Sequence, residues 1–344
     1  MDHGLLAVMI SLDAQISPLT PLTKIPEVAR AAEEIGFDGV WIAETQHNPF
    51  LACALVAEHT ERLRFGTAIA VAFARSPAVM AHTAWDLADT SGGRFILGLG
   101  TQVKAHIERR FGMPWPESVV GKLREQIDVM RTFWRAWQEG DKLRYRGNYY
   151  KITLSAPFFM PPPVQYPDIP IYIAGVNTGL ARLAGEMGDG FHVHPFHTPP
   201  YLKEVLLPAI EEGAVKGGRG RADISIVTHA FAVTNDQERE FVRQQISFYA
   251  STPSYRRVME HHGWGEIRER LSAMAARQKW GEMPELIDDT ILEQVATIAK
   301  ANELADALCE RYTDIADRLT VYMPFEPGER DGFWQQLSKG FERG

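Results

Sequence analysis

Apolar segments typical of buried strands alternate with amphipathic helical segments along almost the whole chain. This alternation constrains the fold more than any other feature, because it predicts parallel strands with helices packed outside them. About 100 residues at the start already contain four strand–helix units. The segments predicted as strands are residues 5–10, 38–43, 64–70, 94–99, 171–174, 190–193, 224–233 and 317–323. Eight such strands favour an α/β fold, a (β/α)8 TIM barrel, over an open doubly wound sheet.

The segments between the strands show ordinary helix signals, with two longer interruptions. Apolar residues at helical spacing predict a helix that ends at Gly36, and another is predicted from Pro77 to Thr90. The Ser/Asp/Pro segment after residue 10 is predicted as a loop. Residues 105–139 look helical, 143–152 form a hairpin around Gly147, and 248–290 are irregularly helical. We therefore expect a single domain, residues 1–344, with inserted hairpin and helical segments at about 105–169 and 248–290.

Composition excludes several classes of protein. The chain is 45% hydrophobic and 23% charged, which is typical of a globular protein with a large core. A net charge of −8 argues against a nucleic-acid surface. The cysteines, Cys53 and Cys309, are too few for a disulfide framework. No apolar run is long enough for a membrane helix, and the first residues lack the cationic start of a signal peptide. We expect a cytoplasmic protein that binds neither nucleic acid nor membrane.

In a TIM barrel the chemistry lies on loops that follow the carboxyl ends of the strands. The second predicted strand runs into Glu44, Thr45, Gln46, His47 and Asn48. His47 is the first candidate for a general acid or base, because an imidazole titrates near neutral pH. Glu44 and His194, which follows the sixth strand, are the further candidates. The alternative for the Glu44 loop is a solvated polar turn.

Glycines mark two places where a ligand can approach the backbone. The fourth strand contains Gly98 and Gly100, followed by Thr101 and Gln102. The fifth strand runs through Gly175, Val176, Asn177 and Thr178 into a helix, and free amides at a helix start attract anions such as phosphate. An ordinary helix cap at Asn177 or Thr178 is the alternative. The spacing does not fit a Rossmann dinucleotide motif.

A metal site is the main rival hypothesis. His192 and His194 lie two residues apart on a predicted strand and therefore point to the same side. Such a pair is found in metal-dependent barrel hydrolases. Apart from His47, no further ligand at metal spacing follows, so we predict no metal.

Three segments resemble the bacterial luciferase-like superfamily, whose members are barrel enzymes that use flavin or deazaflavin. They are residues 91–100, 109–112 and 184–191, and the resemblance extends over about residues 5–330. Within the superfamily the chain is most similar to oxidoreductases that use coenzyme F420, an 8-hydroxy-5-deazaflavin. Two departures make sugar-phosphate oxidation doubtful: Thr45 and Val103 stand where the family's sugar-phosphate dehydrogenases have histidine and glutamate. The Glu-His-His of many flavin monooxygenases is also absent after strand two.

The resemblance implies a set of cofactor-binding residues. Glu44 would contact the ring system, and a non-prolyl cis peptide between Ala68 and Ile69 would press against it. The side chain of the cofactor would be lined by Thr101, Gln102 and His106. Its phosphate would be held by amides of Val176, Asn177 and Thr178.

The resulting hypothesis is an oxidoreductase that transfers a hydride between coenzyme F420 and a small organic substrate. An FMN-dependent monooxygenase is the alternative on the same fold, and a metal-dependent hydrolase or a barrel without a cofactor are further alternatives. Aromatic residues near the predicted mouth loops suggest an apolar or aromatic substrate: Phe73, Trp115, Phe158, Phe159 and Phe196. The resemblance also implies a homodimer.

Overall fold

The computed structural model describes residues 10–342. Its strands are β1 (Ser11–Ile16), β2 (Gly39–Ile42), β3 (Arg64–Thr67), β4 (Ala70–Val71), β5 (Phe95–Gly100), β6 (Tyr145–Arg146), β7 (Lys151–Ile152), β8 (Ile171–Gly175), β9 (Gly190–Val193), β10 (Ser225–Val233), β11 (Ala296–Ile298) and β12 (Arg318–Phe325).

The helices of the amino-terminal half are α1 (Ile25–Ile35), α2 (Pro49–His59), α3 (Pro77–Thr90), α4 (Lys104–Arg109) and α5 (Val119–Glu139). Those of the carboxyl-terminal half are α6 (Thr178–Met187), α7 (Pro199–Tyr201), α8 (Leu207–Lys216), α9 (Asp236–Ser251), α10 (Arg256–His261), α11 (Gly265–Ala276), α12 (Asp289–Val295), α13 (Leu304–Tyr312) and α14 (Asp331–Phe341). Parallel strands with helices between them place the chain in the α/β class, and the fold is the predicted (β/α)8 TIM barrel.

The chain falls into two compact units, and the prediction of a single domain stays a prediction. The first unit comprises Ile16–Glu33 and Gly39–Ala174. In it β2 pairs with β3, β3 with β5, and β5 with both β4 and β8, all in parallel. The predicted hairpin is present as the antiparallel pair β6–β7. We call this part the β2–β8 unit.

The second unit comprises residues 10–15, 34–38 and 175–342. Its central strand is β10, which pairs in parallel with β9, β11 and β12. Strand β1 lies next to β12. We call this part the β9–β12 unit. Because β9 and β12 run parallel to the same strand, their carboxyl ends lie at the same edge of the sheet.

Capping residues explain where the helices that flank the β2–β8 strands begin. Asn48 accepts a hydrogen bond from the backbone N–H of Phe50 at 3.1 Å, and Ser76 accepts one from Val79 at 3.3 Å. Each cap is followed by proline, which is favoured in the first turn of a helix. Helix α3 therefore has the predicted bounds. Gly36, with φ of +96°, follows α1 as predicted.

The loop predicted after residue 10 needs correction. Residues 5–9 lie outside the described residues, and β1 begins at Ser11, where we expected a loop. Asp13 lies inside this strand and is 1% exposed. Its carboxylate accepts two hydrogen bonds from the guanidinium of Arg318, one of them 2.8 Å long. The long-range ion pair makes an aspartate compatible with a buried strand, and no local pattern reveals it.

The core of the β2–β8 unit contains the aromatic stripe of α5. Trp134 and Trp137 are buried, as expected for core residues rather than a ligand cage. Their neighbour on α3, Trp85, packs edge-on against Trp137 with ring centroids 5.5 Å apart. Within residues 10–342, none of the helices is both long and apolar enough to cross a membrane.

Candidate functional site

Glu44 lies immediately beyond β2, and both of its carboxylate oxygens are engaged. Oε2 accepts hydrogen bonds from the backbone N–H of Val71 and from Arg75, each 2.7 Å long. Oε1 accepts a second bond from the Arg75 guanidinium at 2.8 Å. The side chain of Glu44 is 6% exposed and that of Arg75 18%. A bidentate, largely buried ion pair of this kind fixes geometry, and the sequence analysis did not identify Arg75.

The Glu44 backbone and side chain hold the chain that follows β3. The backbone N–H of Glu44 donates to the carbonyl of Ile69 at 3.2 Å, and Ala68 donates to Ile42 at 2.8 Å. The peptide bond between Ala68 and Ile69 is cis, as the family resemblance implied. Glu44, Ala68 and Ile69 are therefore brought together. Their roles toward a cofactor stay a prediction.

Gly100, at the end of β5, makes room for Ile69. A Cβ atom placed on Gly100 would lie 2.5 Å from two carbons of the Ile69 side chain. The missing side chain therefore serves packing of the 68–71 segment. Thr67 adds a further tie, because its hydroxyl donates to the carbonyl of Gly98 at 2.6 Å.

Thr101, Gln102 and His106 follow β5 directly. Gln102 has a left-handed backbone, with φ of +57°, and its side-chain oxygen accepts the N–H of Val103 at 3.0 Å. Thr101 and Gln102 are half-buried, whereas His106 is exposed on α4. All three belong to the β2–β8 unit. Among the hydrogen bonds of the described residues, none links His106 to Glu44 or Arg75.

His47, the first candidate for proton transfer, is exposed. It lines a small pocket of about 20 Å³ together with Ser17, Ala43 and Asn48. A pocket of this size holds about one water molecule. The loop is tied down on its other side by Arg110, which donates to the carbonyl of Thr45 at 2.6 Å. His47 is thus accessible.

The predicted phosphate segment lies in the β9–β12 unit, where β8 leads into α6. Val176, Asn177 and Thr178 are all half-buried, and Asn177 caps the helix without a side-chain hydrogen bond. The first N–H groups of a helix lack partners within the helix. The guanidinium of Arg257 lies here as well and donates to the hydroxyl of Thr178 at 3.2 Å. Amides and a cation together make this an anion-binding arrangement.

Helix α6 packs against α8 with almost no space between the two backbones. A Cβ atom on Gly185 would overlap the carbonyl oxygen of Ile210. A Cβ atom on Gly213 would overlap the carbonyl oxygen of Arg182. A Cβ atom on Gly217 would overlap the carbonyl oxygen of Glu186. The helix that presents the amides at residues 176–178 is therefore fixed firmly to its neighbour.

His194 lies one residue beyond β9 and contacts a cluster of aromatic side chains in the same unit. Its Nε2 is 2.8 Å from the hydroxyl of Tyr255, and its Nδ1 accepts the backbone N–H of Phe196 at 3.1 Å. Nearby, the hydroxyls of Tyr249 and Tyr322 are 2.9 Å apart. Burial lowers the pKa of His194 to about 3, aided by His197 and His229. At neutral pH the ring is therefore uncharged.

Two histidines beside β9 are buried close to each other. His192 is 3% exposed, and its ring lies 5.8 Å from that of His229, measured between centroids. Burial lowers the pKa of both rings, that of His229 to about 4. Across residues 10–342, the side chains of His, Cys, Asp and Glu nowhere form a group of three or more able to hold a metal ion. The hydrolase alternative therefore lacks its ligand set in this part of the chain.

The aromatic residues proposed to face a substrate fall into two groups. Phe73 and Phe196 are 1% exposed and belong to the core, and Trp115 packs edge-on against Phe73 with centroids 6.1 Å apart. Phe158 and Phe159 are 90% and 72% exposed and contact each other.

Three side chains at these sites have no local sequence signal: Arg75, Tyr255 and Arg257. Arg75 is 31 residues from Glu44, Tyr255 is 61 from His194, and Arg257 is 79 from Thr178. The last two lie in the irregular helical segment, which carried no motif. Only the position of this segment as an insertion pointed to a role near the site.

A family model and known proteins match almost the whole chain. A model described as luciferase-like monooxygenase matches residues 5–318. An uncharacterized protein of Mycobacterium tuberculosis is 40% identical over 321 residues, which is 91% of this chain and 94% of that protein. The F420-dependent glucose-6-phosphate dehydrogenase of Amycolatopsis mediterranei is 28% identical over 330 residues, 91% of each chain.

Solved structures share the fold. The coenzyme F420-dependent tetrahydromethanopterin reductase from Methanopyrus kandleri superimposes with a TM-score of 0.78 at 23% identity, covering 96% of this chain and 98% of that one. Monooxygenases are also among the structural neighbours, with TM-scores of 0.66 to 0.71. One of these, from Pseudomonas putida, contains FMN.

Proposed function

This chain belongs to the luciferase-like monooxygenase family, and from that premise we propose that it transfers a hydride between coenzyme F420 and a small organic substrate. Membership in this family, with F420-dependent oxidoreductases among the relatives, makes the protein an oxidoreductase. The choice of F420 over a flavin is the part that we propose.

The choice of F420 over a flavin rests on the similarity to an F420-dependent glucose-6-phosphate dehydrogenase, which extends over 91% of this chain. The binding of the cofactor's phosphate is supported by the amino-terminal end of α6 beside Arg257. Both F420 and FMN carry a phosphate, and a helix start with free amides and a positive dipole end binds phosphate. The guanidinium of Arg257 hydrogen-bonds the Thr178 hydroxyl and adds a full positive charge. We propose that Val176, Asn177, Thr178 and Arg257 bind the phosphate of the cofactor.

We further propose that the 68–71 segment and the residues after β5 bind the ring and the side chain of the cofactor. Bound F420 would supply or accept a hydride at a ring carbon. The ion pair with Arg75 occupies both oxygens of Glu44, so Glu44 holds the 68–71 segment in place and does not move a proton. Thr101, Gln102 and His106 would contact the polar side chain.

The substrate that we propose is a small apolar or aromatic compound and not a sugar phosphate. Val103 and Thr45 are exposed and supply neither the histidine nor the glutamate of sugar-phosphate oxidation. Exposed Phe158 and Phe159 offer apolar surface. A homodimer and a cytoplasmic location remain proposals, as does the absence of nucleic-acid and membrane partners.

Fluorescence titration of the purified protein tests the cofactor. F420, FMN and the 8-hydroxy-5-deazaflavin core without its phosphate tail are each added, and the dissociation constants are compared. We expect F420 to bind most tightly. R257Q should weaken F420 binding about tenfold, since a charge-assisted contact is lost, and should leave binding of the phosphate-free core unchanged.

R256Q is the matched control, because Arg256 is the neighbouring exposed arginine and pairs with Glu260. It removes the same charge and should leave all three constants unchanged. Tight binding of FMN without binding of F420 would replace the proposal with the FMN-dependent monooxygenase. The family description and the FMN-containing neighbour favour that second candidate.

A further inference from the structure

The pair formed by His194 and Tyr255 has a defined direction of hydrogen bonding. Nδ1 of His194 accepts the backbone N–H of Phe196, so this nitrogen carries no proton. A neutral imidazole has one protonated nitrogen, which must then be Nε2. Nε2–H therefore donates to the Tyr255 hydroxyl oxygen across 2.8 Å. This arrangement leaves the hydroxyl proton of Tyr255 available to another acceptor.

The position of the pair fits a role in chemistry. His194 directly follows the carboxyl end of β9, and Tyr322 lies on the carboxyl-terminal half of β12. Both strands flank β10 in parallel, and ligands of this fold bind at the carboxyl ends of the strands. Tyr255 is half-buried, so part of its side chain is exposed.

We propose that Tyr255 is the proton donor of the reaction and that His194 is its positioning residue. The inference rests on the proposed function and narrows its substrate to compounds with a polarised double bond, either a carbonyl or an activated alkene. Reduced F420, when bound, would supply a hydride, with its two electrons, to one atom of that bond. The other atom receives the proton of the Tyr255 hydroxyl, and water later returns a proton to the tyrosinate.

The surroundings keep both groups in the required state. Burial and Tyr322 raise the pKa of Tyr255, so the hydroxyl is protonated at neutral pH. Nε2–H of His194 would stabilise the transient tyrosinate by a charge-assisted hydrogen bond. The titratable groups that act on the pair are His197, His229 and Tyr322. The ring of Tyr249 packs against both members, with centroids 4.7 Å from His194 and 5.6 Å from Tyr255.

The first test needs no cofactor. Nitrogen NMR of histidine-labelled protein, with H194Q used to assign the signal, should show His194 as the neutral Nε2–H tautomer from pH 6 to pH 8. Finding the proton on Nδ1 alone would overturn the proposal, because Nε2 would then accept the hydroxyl proton of Tyr255. A charged ring would also overturn it, because Nδ1–H could not accept the N–H of Phe196.

The second test uses reduced F420 with cyclohexanone and 2-cyclohexen-1-one as probes. We expect Y255F to bind F420 within twofold of the wild type and to lower kcat by at least 100-fold, the usual contribution of a general acid. Y249F removes a hydroxyl from the same aromatic cluster and should change kcat less than threefold. H194F should lower kcat, and H194Q should recover most of it because the amide also donates to Tyr255.

The outcomes separate the two proposals. A wild-type protein that does not bind F420 rejects the proposed function, while NMR still reports on the pair. If F420 binds but Y255F retains full kcat, or if Y255F loses cofactor affinity, Tyr255 is not the donor. Binding of F420 without reduction of either probe also overturns the assignment of a polarised double bond.

Discussion

Glu44 in the β2–β8 unit and His194 in the β9–β12 unit both follow the carboxyl end of a strand, yet their side chains differ in charge and in hydrogen-bond partners. Glu44 is charged and locked by Arg75 and by backbone N–H groups. His194 is neutral, and a hydroxyl is its partner. Two residues that the sequence offers as candidates of the same kind thus have different partners: the charged pair holds the backbone, and we propose that the neutral pair serves proton transfer.

The buried, neutral histidines of the β9–β12 unit predict the largest effect: mild acid should strongly destabilise this unit. Burial lowers the pKa of His194 to about 3 and of His197 and His229 to about 4, whereas the unfolded chain takes up protons near pH 6.5. The unfolded state therefore binds more protons below pH 6.5, and stability falls as the pH decreases. Each such histidine contributes about 1.4 kcal/mol per pH unit. Urea unfolding at pH 7, 6 and 5 measures the effect.

Variants show which histidines cause this dependence. H229Q should reduce the slope of stability against pH by one proton. A stability that stays constant between pH 7 and pH 5 would contradict the neutral, buried state of the cluster.

The second prediction tests the charged pair. R75M leaves the carboxylate of Glu44 largely buried without its counter-charge and should cost about 3 kcal/mol of unfolding free energy. The double variant E44Q/R75M should recover part of that loss, since no charge remains buried. R110M is the control, because Arg110 is exposed and should change stability by less than about 1 kcal/mol. Equal effects of R75M and R110M in denaturant titrations would mean that the Glu44–Arg75 ion pair does not stabilise the fold.

The third prediction concerns the segment that the charged pair holds. G100A places a methyl group against Ile69 and should cost about 1–3 kcal/mol by overpacking. It should also weaken binding of F420, because the 68–71 segment shifts. G265A is the control, since a Cβ there meets no atom within 4 Å. Unchanged stability and cofactor affinity in G100A would show that Ile69 can move aside at no cost.

The smallest expected effect belongs to a neutral hydrogen bond of the β9–β12 unit. Nε2 of His197 lies 3.0 Å from the hydroxyl of Tyr312, and both side chains are buried. Y312F should lower stability by about 1 kcal/mol, less than R75M, because a neutral hydrogen bond contributes less than an ion pair. A loss equal to that of R75M would remove the distinction between the two kinds of pairing.

Local patterns were sufficient for most of the fold. Helix α3 and strand β9 have the predicted bounds, because caps, proline and apolar runs act within a few residues. The loop predicted after residue 10 is a strand, because Asp13 depends on Arg318, which is 305 residues away in the sequence. Strand β11 was not predicted, since three residues carry too little pattern.

The candidate site was predictable only in part, for the same reason. The cis peptide at Ala68–Ile69 followed from the family resemblance, and the helix start at Thr178 followed from glycine and polar residues next to each other in the chain. Arg75 and Tyr255 act through partners brought close by the fold. Sequence spacing therefore identifies residues with suitable functional groups. Their partners in the folded chain determine whether those groups are free to react.

The tight contact between α6 and α8 limits how this protein can change over evolution. At Gly185, Gly213 and Gly217 even one methyl group would force two backbones apart. A residue larger than glycine can be accommodated at these three positions only if the two helices move apart. Such a movement would displace the amides at residues 176–178. This pair of helices therefore keeps the backbone amides at residues 176–178 at a constant position.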